Sequence, residues 1–182
     1  TEVAVPAVKV SHQAVLLQMA VAKQFGDKEF AKLDHLTTTM SHPDAVAAMS
    51  SGKDVTAHFS APPYMYAQEK MPGVHVILKS YELLGGPGTT TIVWTTKKFH
   101  DQNPKVYKAV LAAFDEAINF INKDHRQAAA LYLEALNDKK TSPDEIVMML
   151  DDPQFKFSVT PNKLMPLLDF MNRTGSIKVK AD

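Results

Sequence analysis

The first 84 residues of this chain switch repeatedly between two hydrophobic periods, and that switching limits the fold more than any other feature. The run "VAVPAV", residues 3 to 8, is β-branched and apolar and predicts a strand. Pro6 cannot donate to a ladder, so it belongs at a strand end or edge. Ser11 is a good helix N-cap, and Val15, Leu16, Met19, Ala22 and Lys23 then follow helical spacing up to Gly26. "LTTTM", 36 to 40, predicts a second strand. "SHPDAVAAMSSG", 41 to 52, predicts a second helix, with Pro43 near its first position and Gly52 as its stop. Strand three is 55 to 59, a third helix runs from the Pro62-Pro63 pair to about Lys70, and "VHVILKS", 74 to 80, reads as strand four. Strands alternating with helices through short joints predict an α/β fold with a mostly parallel sheet.

The pattern breaks at "YELLGGPGTTTIVWTT", where Gly85, Gly86, Pro87 and Gly88 crowd together. "TTTIVWTT", 89 to 96, is an extended run, and everything after it reads helical. Asn103-Pro104 opens a helix to about Asn122 with Val106, Val110, Phe114, Ala117 and Ile121 on one stripe. Asp124, Ser142 and Thr160-Pro161 mark three further starts, the last closed by Gly175. The predicted division is therefore an α/β unit, 1 to 84, and a mainly helical part, 85 to 182.

In open α/β sheets, ligands sit beyond the carboxyl ends of the strands. Three such ends lie here between a strand and a helix start. They hold Lys9, Ser11, His12 and Gln13, then His42 and Asp44, then Ser60, Ala61, Pro62 and Tyr64. Helix N-termini carry unpaired N–H groups and partial positive charge, so such a cleft suits a small anion. The plainer reading is that Ser11 and Ser60 are caps and Pro62-Pro63 is only a helix start. "SAPP" stops a strand and starts a helix at once, leaving a stiff corner.

Charge and composition narrow the function classes. With 20 basic and 20 acidic residues, nothing favours nucleic acid or an anionic membrane as a bulk partner. There is no cysteine, which removes thiolate chemistry and cysteine-ligated metals. No apolar run approaches the ~20 residues that span a bilayer. No GxSxG, HExxH or P-loop pattern occurs, so no catalytic residue, cofactor or metal is assigned. His12, His42 and His58 could meet at one sheet edge as metal ligands, but spacing alone argues only weakly for it.

Three segments, "AVPAVKVSHQAVLLQMA", "HPDAVAAMSSGKDVTAHFSAPPYMY" and "VWTTKKFHDQNPKVYKAVLAAFDEAINFI", together resemble the solute-binding proteins of ABC importers. The nearest branch is the nitrate, sulfonate and taurine type, which includes thiamine-pyrimidine binders. The terminal "FMNRTGSIKVKAD" resembles that family's last helix and the segment after it. The resemblance implies a type II periplasmic-binding-protein fold, with 1 to 84 as lobe two and 85 to 182 as the return crossover and the helical C-terminal part of lobe one. The opening half of lobe one has no counterpart, so the chain is expected to be a fragment, with a signal peptide upstream and a periplasmic location.

By position, the resemblance puts the ligand's charged end at Ser11 and His12, with Gln13 beside them. His42 and Asp44 match the second helix start, Ser60, Ala61 and Pro62 the loop after strand three, and Tyr64 or Tyr66 an aromatic wall. Trp94 falls near the hinge, 84 to 91. The implied function is capture of a small anionic organic solute, such as a sulfonate, taurine or nitrate, by a protein that is a monomer when complete. Delivery would be to an ABC permease in the inner membrane. Two alternatives stand beside it: an effector-sensing module of a transcription regulator, and a pyrimidine-synthase-like enzyme. The enzyme branch carries a cysteine-rich stretch that this chain lacks.

Overall fold

The computed structural model describes residues 2–52, 54–139 and 141–178. They form two compact units. The first contains residues up to Gly88 together with the segment from Lys163 onward, and the second is Thr89–Asn162.

The first unit is built on a three-stranded parallel sheet of β1 (Glu2–Val5), β2 (Thr37–Thr39) and β3 (Val55–His58), in the order β2-β1-β3. Val3, Ala4 and Val5 pair with Thr37, Thr38 and Thr39. On the other side Ala4 pairs with His58, after an irregularity between Glu2 and Val3. β1 ends at Val5, before Pro6 would interrupt the ladder. As the central strand it is the most enclosed, and Ala4 and Val5 are fully buried.

Helix α1 (His12–Phe25) starts at Ser11, whose Oγ accepts from Ala14 N, and ends at Gly26, where φ is 96°. Helix α2 (His42–Ser50) starts at Ser41 in the same way. Ala4, Ala45 and Val55 form a core under α2, with Met40, Ala48 and Met49 packed against it. A separate core joins α1 to α4 (Ser80–Leu84) and α9 (Met165–Arg173): Val15, Leu16, Ala22, Leu84, Leu167 and Phe170. α3 (Tyr64–Glu69) follows β3. The sequence division groups α9 with the helices before it; its packing groups it with the first unit.

The second unit contains α5 (Lys97–Gln102), α6 (Pro104–Lys123), α7 (His125–Leu136) and α8 (Pro143–Asp151). α7 and α8 bury Ala128, Ala129, Leu133, Ile146 and Met149. Arg126 Nη2 to Asp144 at 2.9 Å and His125 Nδ1 to Asp151 at 2.6 Å tie them outside. Ser142 and Glu145 complete a capping box at the start of α8.

Several sequence expectations differ from what is observed. Residues 74–79 form no strand: they pair with neither edge strand, β2 or β3, and Val76 and Ile77 are 46% and 79% exposed. An apolar, β-branched run becomes a strand only where another backbone completes its ladder. The same holds for 89–96, where Thr89 N donates to Asn162 O at 2.9 Å but no strand forms, and Trp94 is 78% exposed. α9 begins at Met165, later than Thr160-Pro161 suggests, after Lys163 takes a left-handed φ of 51°. Lys163 Nζ instead donates to the carbonyls of Leu84 and Gly85, at 3.2 and 2.5 Å. A cation there answers the unpaired carbonyls that end α4. The stripe on α6 exists, but Val106, Val110 and Phe114 on it are exposed.

Candidate functional site

Because the sheet is parallel, the three strands deliver their carboxyl ends to one edge. Residues 6–11, 40–41 and 59–63 leave that edge, and each segment leads into a helix. The predicted residues divide there by what their polar atoms already do.

Ser11 is a cap, its Oγ 3.2 Å from Ala14 N. Asp44 is also committed. Its N–H reaches Ser41 Oγ at 3.3 Å, and Ser41 Oγ donates to its carboxylate. Asp44 therefore places negative charge at the α2 N-terminus and counters the positive end of that helix. α1 has no acidic residue in its first turn, so its N-terminus keeps its attraction for an anion. Ala61 O accepts from Met65 N at 3.0 Å, which starts α3, and Pro62 and Pro63 form the corner, joined by a cis peptide bond.

Ser60 does not behave as a cap. The N-cap position of α3 is Pro63, with no side-chain bond. Ser60 Oγ is instead buried without a hydrogen-bond partner, and so is His12 Nε2. Buried polar atoms are nearly always paired, and an unpaired one costs about 1–3 kcal/mol. Both atoms lie on segments that leave the carboxyl edge of the sheet or open the helix after it.

Next to them the structure brings together Gln13, His42, His58, Tyr64 and Gln68. Gln13 Nε2 lies 3.4 Å from His42 Nε2, and His42 Nδ1 lies 2.8 Å from His58 Nε2. His58 Nδ1 lies 2.9 Å from Gln68 Oε1. The Tyr64 ring stacks on His42 at 5.6 Å and 25°. Burial pushes His12 and His42 below the usual histidine range. His58 is lowered by burial first and by the neighbouring His42, against an opposing hydrogen bond from Gln68. Burial therefore favours the neutral form of all three rings, as polar hydrogen-bonding groups rather than cations. Lys9, the one cation in the strand-end loops, sits exposed at a φ of 67°.

Among the described residues, no group of three or more His, Cys, Asp and Glu side chains is arranged to hold a metal ion. The facing nitrogens of His42 and His58 are engaged with each other. Gln68 carries no signal in the sequence, and His58 reads there as a metal ligand or as a strand residue turned into packing. A polar signal existed, a histidine inside a short buried-type strand, but its partners His42 and Gln68 lie on two other elements. Trp94 belongs to the second unit, beside His100 and Tyr107.

The parallel sheet brings its strand ends, two of them with unpaired buried polar atoms, to one edge, where open α/β folds bind their ligands. The chain belongs to the NMT1-like family, whose model matches residues 2–134. That family has the type II periplasmic-binding-protein fold, and the parallel sheet with its flanking helices agrees with it. Its members are mostly binders without catalytic activity, although thiamine-pyrimidine synthase-like proteins also occur in it. No curated protein and no solved structure matches the chain. No helix among the described residues is long and apolar enough to cross a membrane.

Proposed function

We propose that this chain is part of the substrate-binding component of an ABC importer, which captures a small anionic organic solute in the periplasm and hands it to an inner-membrane permease. The observation that carries the reading is the pair of buried, unpartnered atoms, His12 Nε2 and Ser60 Oγ, at the strand ends. The solute's anionic group lies at the first turn of α1, where no carboxylate competes. Tyr64, stacked on His42, supplies the aromatic wall. With neutral histidines the anion is held by N–H and O–H donors, which suits a sulfonate- or nitrate-like monoanion better than a dianion. In this reading residues 2–84 belong to lobe two, residues from 85 onward to the crossover and lobe one, and α9 returns to brace lobe two. Gly85 and Gly86, at φ 66° and 130°, lie in the hinge segment.

The test is a thermal-shift panel of alkanesulfonates, taurine, nitrate, aromatic carboxylates and thiamine precursors, on native protein and on Ser60→Ala. A solute at 100 times its Kd stabilises by about 2.7 kcal/mol. The expected result is a hit on native protein that is lost in Ser60→Ala, while the solute-free variant melts at or above the native temperature. Removing an unpaired buried hydroxyl costs the empty protein nothing. A hit of equal size in both proteins, or a clearly less stable empty variant, would sink the assignment of Ser60.

A further inference from the structure

The His42–His58 pair belongs to a longer chain whose direction can be read. A neutral imidazole has one donor and one acceptor nitrogen. The string Gln13–His42–His58–Gln68 can therefore run in two ways. In one, Gln13 donates to His42 Nε2, His42 Nδ1–H donates to His58 Nε2, and His58 Nδ1–H donates to Gln68 Oε1. In the other, both rings change tautomer, both amides turn over, and every bond reverses. Both are internally consistent, so the choice is made at an end.

That end is Met49. The second amide atom of Gln68, Nε2, lies 3.1 Å from Met49 Sδ. A thioether sulfur accepts weakly and never donates. The reversed chain would place the Gln68 carbonyl oxygen against the sulfur, lone pair to lone pair. Gln68 is 4% exposed, so bulk water has little access to relieve that contact. The remaining groups packed on the pair leave this choice unchanged. Tyr64 stacks on His42, and the nearest carboxylate in sequence, Asp44, is held by Ser41.

We propose that Met49 and Gln68 are positioning residues which, through His58 and His42, lock the amide of Gln13 so that it donates to His42 and presents its carbonyl oxygen on the side away from that ring. Resting on the proposed solute site, this makes Gln13 an acceptor there and favours a solute that carries an N–H or O–H donor beside its anionic group. His58, Gln68 and Met49 act on the solute only through Gln13 and His42.

The experiment needs no solute. The ring-nitrogen tautomers are read by two-bond proton–nitrogen NMR on the ¹⁵N-labelled full chain at pH 8. His42 and His58 are both expected as Nδ1–H, the form that free histidine disfavours. Met49→Leu keeps the volume nearly constant and removes the acceptor. Both rings of that variant are expected to gain a second set of signals, in the Nε2–H form, together. Native rings in the Nε2–H form would overturn the proposal without any variant, and an unchanged spectrum in Met49→Leu would overturn the role of Met49. A solute panel without a hit leaves these tautomers as expected, so failure of the proposed function is seen separately. A panel solute bound equally by native and Met49→Leu protein, with the tautomers shifted, would overturn the solute preference.

Discussion

Truncating Phe170 tests whether the first unit is built from the two ends of the chain. Phe170 is 2% exposed and packs in one core with Val15, Leu16 and Ala22 of α1 and with Leu84 of α4. Its ring also meets Phe30 edge-to-face at 6.1 Å, and Arg173 lies over it. Phe170→Ala leaves a cavity among Leu16, Leu84, Leu167 and Phe30, and such truncations cost about 3–5 kcal/mol. The pairing with Phe30 accounts for about 0.5–1.5 kcal/mol of that. Against a domain stability of about 5–15 kcal/mol, this is a large fraction. The assay is urea denaturation followed by far-UV circular dichroism, with hydrogen exchange on peptides from α1 and α9. Peptides from α7 and α8, in the second unit, follow that unit separately. The expected result is a lower midpoint and joint loss of protection in α1 and α9, with protection in α7 and α8 little changed. Leu131→Ala, at a position 54% exposed, should stay within about 0.5 kcal/mol. A loss below about 1 kcal/mol for Phe170→Ala, or full protection of α1, would refute the packing argument.

Two further outcomes follow from the same structure. His12, His42 and His58 have folded-state values below 6.5 because of burial, so the unfolded chain takes up protons first as pH falls. Their contribution is complete above pH 6.5 and declines below it, so the urea midpoint should be lower at pH 5.5 than at pH 7.5; equal or higher stability at pH 5.5 would contradict it. Asp101 is lowered by its bonds to Lys97 and then His100, from a starting value of 3.8, so its effect belongs to more acidic solution. Ser142→Ala removes one half of the α8 capping box and should cost about 1 kcal/mol, read as a loss of protection in α8 and its partner α7.

The caps were legible because they are local. Ser11, Ser41, Asp124 and Ser142 each bond a backbone N–H three residues on, so a window of four residues contains the whole interaction. The parallel α/β character was equally legible, since each strand and the helix after it carry their own hydrophobic period. Strand formation at 74–80 and 89–96 was not, because a strand's hydrogen bonds lie on another backbone and no local sequence says whether one is present. The same limit applied to the site. The sequence placed His12, Gln13, His42 and Ser60 at strand ends, but could not tell a capping serine from an unpartnered one. Ser11 and Ser60 look alike in sequence; only the start of α3 at Pro63 leaves Ser60 Oγ unused. Gln68 and Met49 carried no signal, since their roles arise from distances of 2.9 and 3.1 Å between side chains on different elements, which only the packing of α2, β3 and α3 sets. Local chemistry thus determined the caps, the three paired strands and the edge of the sheet where the proposed solute site lies. Tertiary structure alone decided which polar atoms there were already satisfied, because a buried group's partner is set by the packing of other elements.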